Sequence, residues 1–374
     1  DIIENSRYGI GGCIWDWVDQ SIYDAEDIKQ GTLTVDGLNK YRTGYDYPGP
    51  HQGNFVNNGL VAADRAWSPE LTEVKKVYQY IKFVSFDKES KTLTLKNDYD
   101  FITLDDFELY YCVTLNGYKK QSGTIALPAA VVPGKTTTVT VPYTLAEGEG
   151  EQLLTMEIRL REDASWASKG YPMATEQYTL VERPAAFAAL TAGSSALTLT
   201  REGSDYVFAN ADGTSVRFAG DGELLSWQYR GTEYLVRGPE YSNYRWVEND
   251  GPTEGLNKYG ADNGITTKSL SKAELSADGN TATVVATGKG RNCDYTFTYT
   301  IHSNGVVQLD AKYTVNIKNL RRVGLDMEFV KDYDQIEYYA RGPWENYIDR
   351  RSGSYIGRYH TSVDDMFEPY PKPQ

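Results

Sequence analysis

Residues 11–20, Gly-Gly-Cys-Ile-Trp-Asp-Trp-Val-Asp-Gln, crowd two glycines, two tryptophans and two aspartates into one short run. As a strand it would send Cys13, Trp15 and Trp17 to one face and Ile14, Asp16 and Val18 to the other, so both faces mix apolar and polar demands. A tryptophan left open at a strand end is a flat apolar platform suited to the C–H face of a sugar ring. The same rings also suit an interior, where large aromatics are mostly buried. The nearby carboxylates, Glu4, Asp16, Asp19, Asp24, Glu26 and Asp27, read as solvated or structural charge, with Asp16 and Asp19 open to a supporting place beside a site.

The elements that would position this run are few. After it comes loop-rich sequence through Tyr41–Pro50, and then a helix is expected from Ser68-Pro69-Glu70. Ser68 would act as N-cap, Pro69 would take the first helical position and Glu70 would complement the positive end of the dipole. From about Tyr78 the pattern turns to strands. Phe107, Leu109, Tyr111, Val113 and Leu115 alternate with polar neighbours, and Asn116-Gly117 supplies a hairpin turn. Thr136–Val141 and Leu154–Arg161 repeat the alternation, which over this length indicates an immunoglobulin-like sandwich. Glu182–Gly193 reads as a linker. A second all-β region follows, with strands expected at 197–201, 205–210, 214–218, 295–301 and 305–315.

At 374 residues the chain exceeds one hydrophobic core. Its net charge of -14 argues against nucleic acid or an anionic membrane surface as partner, since either rewards a basic face. Cys13, Cys112 and Cys293 are widely spaced and odd in number. They form neither a disulfide framework nor a zinc pattern and read as buried thiols. His302 and His360 read as surface or internally satisfied imidazoles.

The run GGCIWDWVDQ, the later NFVNNGLVAADR (Asn54–Arg65) with Ser68-Pro69-Glu70-Leu71, and RGPWENYIDR (Arg341–Arg350) occur in this order along the chain. Together they resemble the C-terminal portion of bacterial β-galactosidases of glycoside hydrolase family 2, over essentially the whole chain. The resemblance implies a mainly β chain in three parts. Residues 1–75 would be the C-terminal end of the catalytic TIM barrel, and 76–183 an immunoglobulin-like β-sandwich. Residues 193–374 would be a galactose-mutarotase-like β-sandwich, truncated at its C-terminus, without the aromatic that family members extend toward the active site.

The resemblance further implies hydrolysis of terminal β-D-galactosyl bonds with retention, by two carboxylates about 5–5.5 Å apart. Both would lie upstream of Asp1, so this chain would hold no catalytic residue and be inactive alone. It would contribute substrate-binding residues instead, with Trp15 at the rim of the barrel as part of the galactose platform. The Phe55 carbonyl and the Asn58 side chain would bind Na⁺ beside the galactose 6-hydroxyl, being hard oxygen donors. An ordinary turn is the other reading of Asn58-Gly59. Mg²⁺ is implied for the longer protein, with most ligands upstream. Where relatives place an Asn at an outer magnesium site this chain has His51, a poorer magnesium ligand.

The RGPWENYIDR cluster admits a catalytic reading, but the structural one is an ion-paired network of Arg341, Glu345, Asp349 and Arg350 around Pro343. Two rivals stay open. One is another family 2 activity, a β-glucuronidase or β-mannosidase. The other is a non-catalytic carbohydrate-binding or scaffold protein. The expected partner is a galactoside. A homo-oligomer and either bacterial compartment, cytoplasm or periplasm, remain open.

Overall fold

Alternating side chains, two-residue turns and buried aromatic pairs account for most of what the chain builds. A computed structural model describes residues 2–3, 5–22, 34–35, 38–39, 41–52, 55–183, 190–243, 264–318, 320 and 322–368. The chain clusters into two compact units. One comprises Asp1–Phe187 with Gln335–Pro373, the other Ala188–Asp334 with Gln374. The hairpin carrying RGPWENYIDR therefore belongs to the first unit.

In the first unit the expected helix is present as α1, Glu70–Val77. Its N-terminus differs from expectation. Ser68 does not cap it, because the hydroxyl donates instead to the Leu60 carbonyl at 3.0 Å, and the first turn is closed by backbone bonds from Leu71 and Thr72 to Ser68 and Pro69.

Seven strands follow: β1 (Ile81–Asp87), β2 (Thr92–Asn97), β3 (Phe107–Leu115), β4 (Tyr118–Ala126), β5 (Thr136–Thr140), β6 (Gln152–Leu160) and β7 (Pro172–Val181). They make an antiparallel three-stranded sheet, β1-β2-β5, and an antiparallel four-stranded sheet, β4-β3-β6-β7. Strand β3 buries every second residue from Phe107 to Leu115, as its sequence alternation requires. Leu115 pairs with Tyr118 across Asn116-Gly117. Both turn residues take positive φ, 51° and 80°, the conformation for which Asn-Gly is the preferred pair. Leu93, Leu95, Leu109, Val113, Leu154, Met156 and Ile158 are fully buried in one shared core.

The second unit holds β8 (Thr198–Glu202), β9 (Asp205–Ala209), β10 (Thr214–Phe218), β11 (Leu224–Tyr229), β12 (Thr232–Glu233), β13 (Leu235–Ser242), β14 (Ile265–Leu275), β15 (Thr281–Gly290), β16 (Cys293–His302), β17 (Val307–Val315) and β18 (Gly324–Phe329). Strands β8 to β12 form a five-stranded meander, β14 to β17 a four-stranded one, and β13 pairs with β18. All five strands expected from the pattern are present, that at 214–218 with the expected ends and the others with no end shifted by more than two residues. Phe208, Phe218, Phe297 and Tyr299 interlock at the centre. Phe218 meets Phe208 edge-to-face at 6.3 Å and Tyr299 at 4.9 Å between ring centroids.

Back in the first unit, β19 (Gln335–Gly342) and β20 (Tyr355–Ser362) form an antiparallel hairpin. The Gln177 side chain pairs with the Ile356 backbone in both directions, at 2.9 and 3.0 Å. Tyr339 donates to Glu151 at 2.7 Å, and Glu73 accepts from the Gly353 amide at 2.9 Å. The RGPWENYIDR network differs from the expected one. Arg350 pairs with Glu345 and, at 3.0 Å, with Glu70 of α1, whereas Arg341 donates to the Arg351 and Ser354 carbonyls. Asp349 is exposed and joins no ion pair among the described residues. The reason is local: the turn at 343–350 swings Arg350 toward the helix and leaves Asp349 facing solvent.

The thiols and imidazoles also depart from expectation. All three cysteines are free, but only Cys293 is buried, Cys112 is intermediate and Cys13 is exposed. His360 is a surface residue 2.6 Å from Glu337. His302 is neither exposed nor satisfied, since its Nε2 is buried without a hydrogen-bond partner. Among the described residues no helix is long and apolar enough to cross a membrane.

Candidate functional site

The two runs singled out near the N-terminus lie side by side. Asp16 N–H donates to the Asn58 carbonyl at 3.0 Å, Gln20 N–H to Val56 at 2.8 Å and Asp19 N–H to Val61 at 2.9 Å. In return Leu60 donates to Asp16 at 3.3 Å and Val61 to Trp17 at 3.1 Å. The expected strand at 11–18 is nonetheless not formed. Of residues 11–18 only Val18 makes a regular bridge, parallel to Val61.

Gly59 is what allows the close approach. A Cβ there would stand 2.2 Å from the Asp19 nitrogen and 2.6 Å from the Val18 carbonyl carbon, so a side chain at 59 would force the two runs apart.

The interior reading of the two tryptophans does not hold. Trp15 is 73% and Trp17 54% exposed, which leaves Trp15 available as a platform. Phe55 is also exposed, and no hydrogen bond to its carbonyl is made among the described residues. Asn58 is half-buried with Nδ2 unpartnered, and Asn57 has both Oδ1 and Nδ2 buried without partners. An open Nδ2 calls for an acceptor such as a sugar oxygen, and the open Asn57 Oδ1 for a donor or a cation. With hard carbonyl oxygens as donors, Phe55, Asn57 and Asn58 are compatible with a sodium-sized cation. His51 is exposed, and no group of three or more His, Cys, Asp or Glu side chains among the described residues could hold a metal ion.

Of the readings open to Asp19, the solvated one does not hold. It is 7% exposed, and its Oδ1 accepts the Gly59 N–H at 2.7 Å. Burial pushes its carboxyl up to about 6 and the charges of Asp16 and Asp64 add to this, against the lowering effect of the Gly59 hydrogen bond. Asp16 in turn is tied to the Gln20 side chain. Glu4, Asp24, Glu26 and Asp27 lie outside the described residues. Sequence reasoning missed Asn57 and the clamp at Asp19. Asn57 sits in a quoted motif with nothing to set it apart from Asn58, and Asp19, though named as open to a supporting place, lies in a run whose mixed apolar and polar residues do not show which side chains are buried.

Three family models match the chain in sequence order. The glycosyl hydrolases family 2 TIM barrel domain matches residues 2–83, β-galactosidase domain 4 matches 93–181, and the β-galactosidase small chain matches 210–374. The β-galactosidase of Priestia megaterium is 28% identical over 382 residues, covering 97% of this chain and 35% of that protein. The β-galactosidase of Streptococcus thermophilus is 28% identical over 375 residues, with the same coverage of 97% and 35%. That of Psychromonas ingrahamii is 27% identical over 388 residues, covering 96% and 36%.

A solved exo-β-D-glucosaminidase aligns with a TM-score of 0.22 at 15% identity, over 69% of this chain and 25% of that one. Models for three successive parts of family 2 glycosyl hydrolases and β-galactosidases thus match most of the chain between them, in the order of the expected domains. The chain is similar to the C-terminal portion of bacterial β-galactosidases, and it spans little more than a third of the length of these relatives.

Proposed function

We propose that this chain is the part of a retaining β-galactosidase that receives the galactosyl unit and its cation, while the two catalytic carboxylates come from barrel strands outside these residues. The modules are 1–75, the barrel end; 76–183, the immunoglobulin-like sandwich; and 193–374, the mutarotase-like sandwich, of which residues 335–373 cluster with the first unit. Trp15 is the apolar platform under the sugar. The Phe55 carbonyl and Asn58 side chain hold Na⁺ beside the 6-hydroxyl, with Asn58 serving both ion and sugar. The ion supplies a fixed positive charge for that hydroxyl. Mg²⁺ in the longer protein draws most of its ligands from elsewhere.

The observation that carries this reading is the pairing of residues 16–20 with 56–61, which puts an exposed Trp15 one residue from the Asn58 contact and leaves the amides of Asn57 and Asn58 open. A neutral Asn58 also suits galactose better than a glucuronide, whose carboxylate needs a cationic partner.

The purified 374-residue chain, freed of host enzyme, is expected to release no product from a chromogenic β-galactoside. Turnover above the buffer rate would place the carboxylate pair within this chain and overturn the assignment.

A further inference from the structure

The peptide unit joining Asn58 to Gly59 is held at both edges. Its carbonyl accepts the Asp16 N–H at 3.0 Å, and its N–H donates to Asp19 Oδ1 at 2.7 Å. A planar peptide fixed at both polar groups cannot rotate, which removes one of the soft torsions through which the Asn58 side chain could turn. Only one of the two ties uses a side chain, and that side chain is Asp19.

The setting of Asp19 is costly. It is 7% exposed, the charged groups facing it are the acidic Asp16 and Asp64, and no Lys, Arg or His pairs with it among the described residues. Burying a carboxylate without a cation works against folding, so global stability does not explain its choice. A charge-assisted bond does, because it is shorter and roughly twice as strong as a neutral one.

We propose that Asp19 is a positioning residue for the sugar and cation site, holding the Asn58–Gly59 peptide and thereby the Asn58 side chain in register with Trp15. The inference rests on the reading of Asn58 as a shared ligand of ion and sugar.

The test uses the full-length enzyme with Asp19→Leu, Asp19→Asn, Asn58→Ala and the Asp19→Leu/Asn58→Ala double variant. Calorimetry measures equilibrium affinity for a non-hydrolysed thiogalactoside with and without sodium. Losing a hydrogen bond to a charged group predicts that Asp19→Leu weakens sodium-dependent affinity about tenfold or more. Asp19→Asn keeps an acceptor of the same shape without its charge, so its sodium-dependent affinity falls about threefold, between the parent and Asp19→Leu. If Asp19 acts through Asn58, adding Asp19→Leu to Asn58→Ala costs less than about twofold.

Additive losses in the double variant overturn the proposal, as does parental affinity in Asp19→Leu. If Asp19→Leu does not fold, Asp19→Asn decides alone, and affinity and sodium response equal to the parent's overturn the proposal. Asn58→Ala with full affinity and full sodium response sinks the reading of Asn58 itself. A loss in Asn58→Ala beside a parental Asp19→Leu sinks only the role of Asp19.

Discussion

Trp15→Ala in the full-length enzyme should lower kcat/KM toward galactosides by roughly a hundredfold while leaving the thermal midpoint almost unchanged. If a sugar covers about 100 Å² of one indole face, the loss at roughly 25 cal/mol per Å² is near 2.5 kcal/mol, which converts to close to two decades in rate. The unchanged midpoint follows from exposure: at 73% exposed, the ring contributes little to folding. Trp15→Phe keeps a flat face and should recover part of the loss. Steady-state kinetics beside a melting curve separates the two readings. A fall in midpoint with little kinetic change would return Trp15 to a structural role.

Phe218→Ala should be the most damaging of the core truncations in the second unit. The ring is fully buried and meets both Phe208 and Tyr299 edge-to-face, so its removal opens a cavity that rigid strands on both sides cannot fill. Truncation of a buried Phe costs about 3–5 kcal/mol, and aromatic pair geometry adds to it. Denaturant unfolding of the chain, followed in the transition of the second unit, should show this loss. A shift below about 1 kcal/mol would mean that the strands collapse onto the cavity.

Legibility from sequence followed the physics of each element. Strand β3 was readable because a half-buried strand has a period of two and Asn-Gly has one favoured turn, so pattern and chemistry agreed. The helix was readable in place, but not in its cap, because the Ser68 hydroxyl found a tertiary acceptor at Leu60 that no local rule contains. The same limit applies to Arg350, whose second partner Glu70 is remote in sequence, and to Cys13, which apolar neighbours made look buried. At the site, the residue types pointed to a sugar and a hard cation through resemblance. What they could not convey was that Gly59 lets two runs touch, or that Asp19 is buried against it. Backbone proximity between segments some forty positions apart leaves no periodic trace.

The measurement that tests the central claim most directly is the sodium dependence of sugar binding in the full-length enzyme, compared between D-galactose and D-fucose, its 6-deoxy counterpart. If Phe55 and Asn58 hold a cation that meets the 6-hydroxyl, sodium should tighten galactose binding by about an order of magnitude, equivalent to one good charge-assisted contact. D-fucose, which keeps the ring and lacks the hydroxyl, should respond much less, and Asn58→Ala should lose the galactose response. Equal sodium responses for the two sugars, or an undiminished response in Asn58→Ala, would contradict the account and leave residues 55–59 as a well-formed loop.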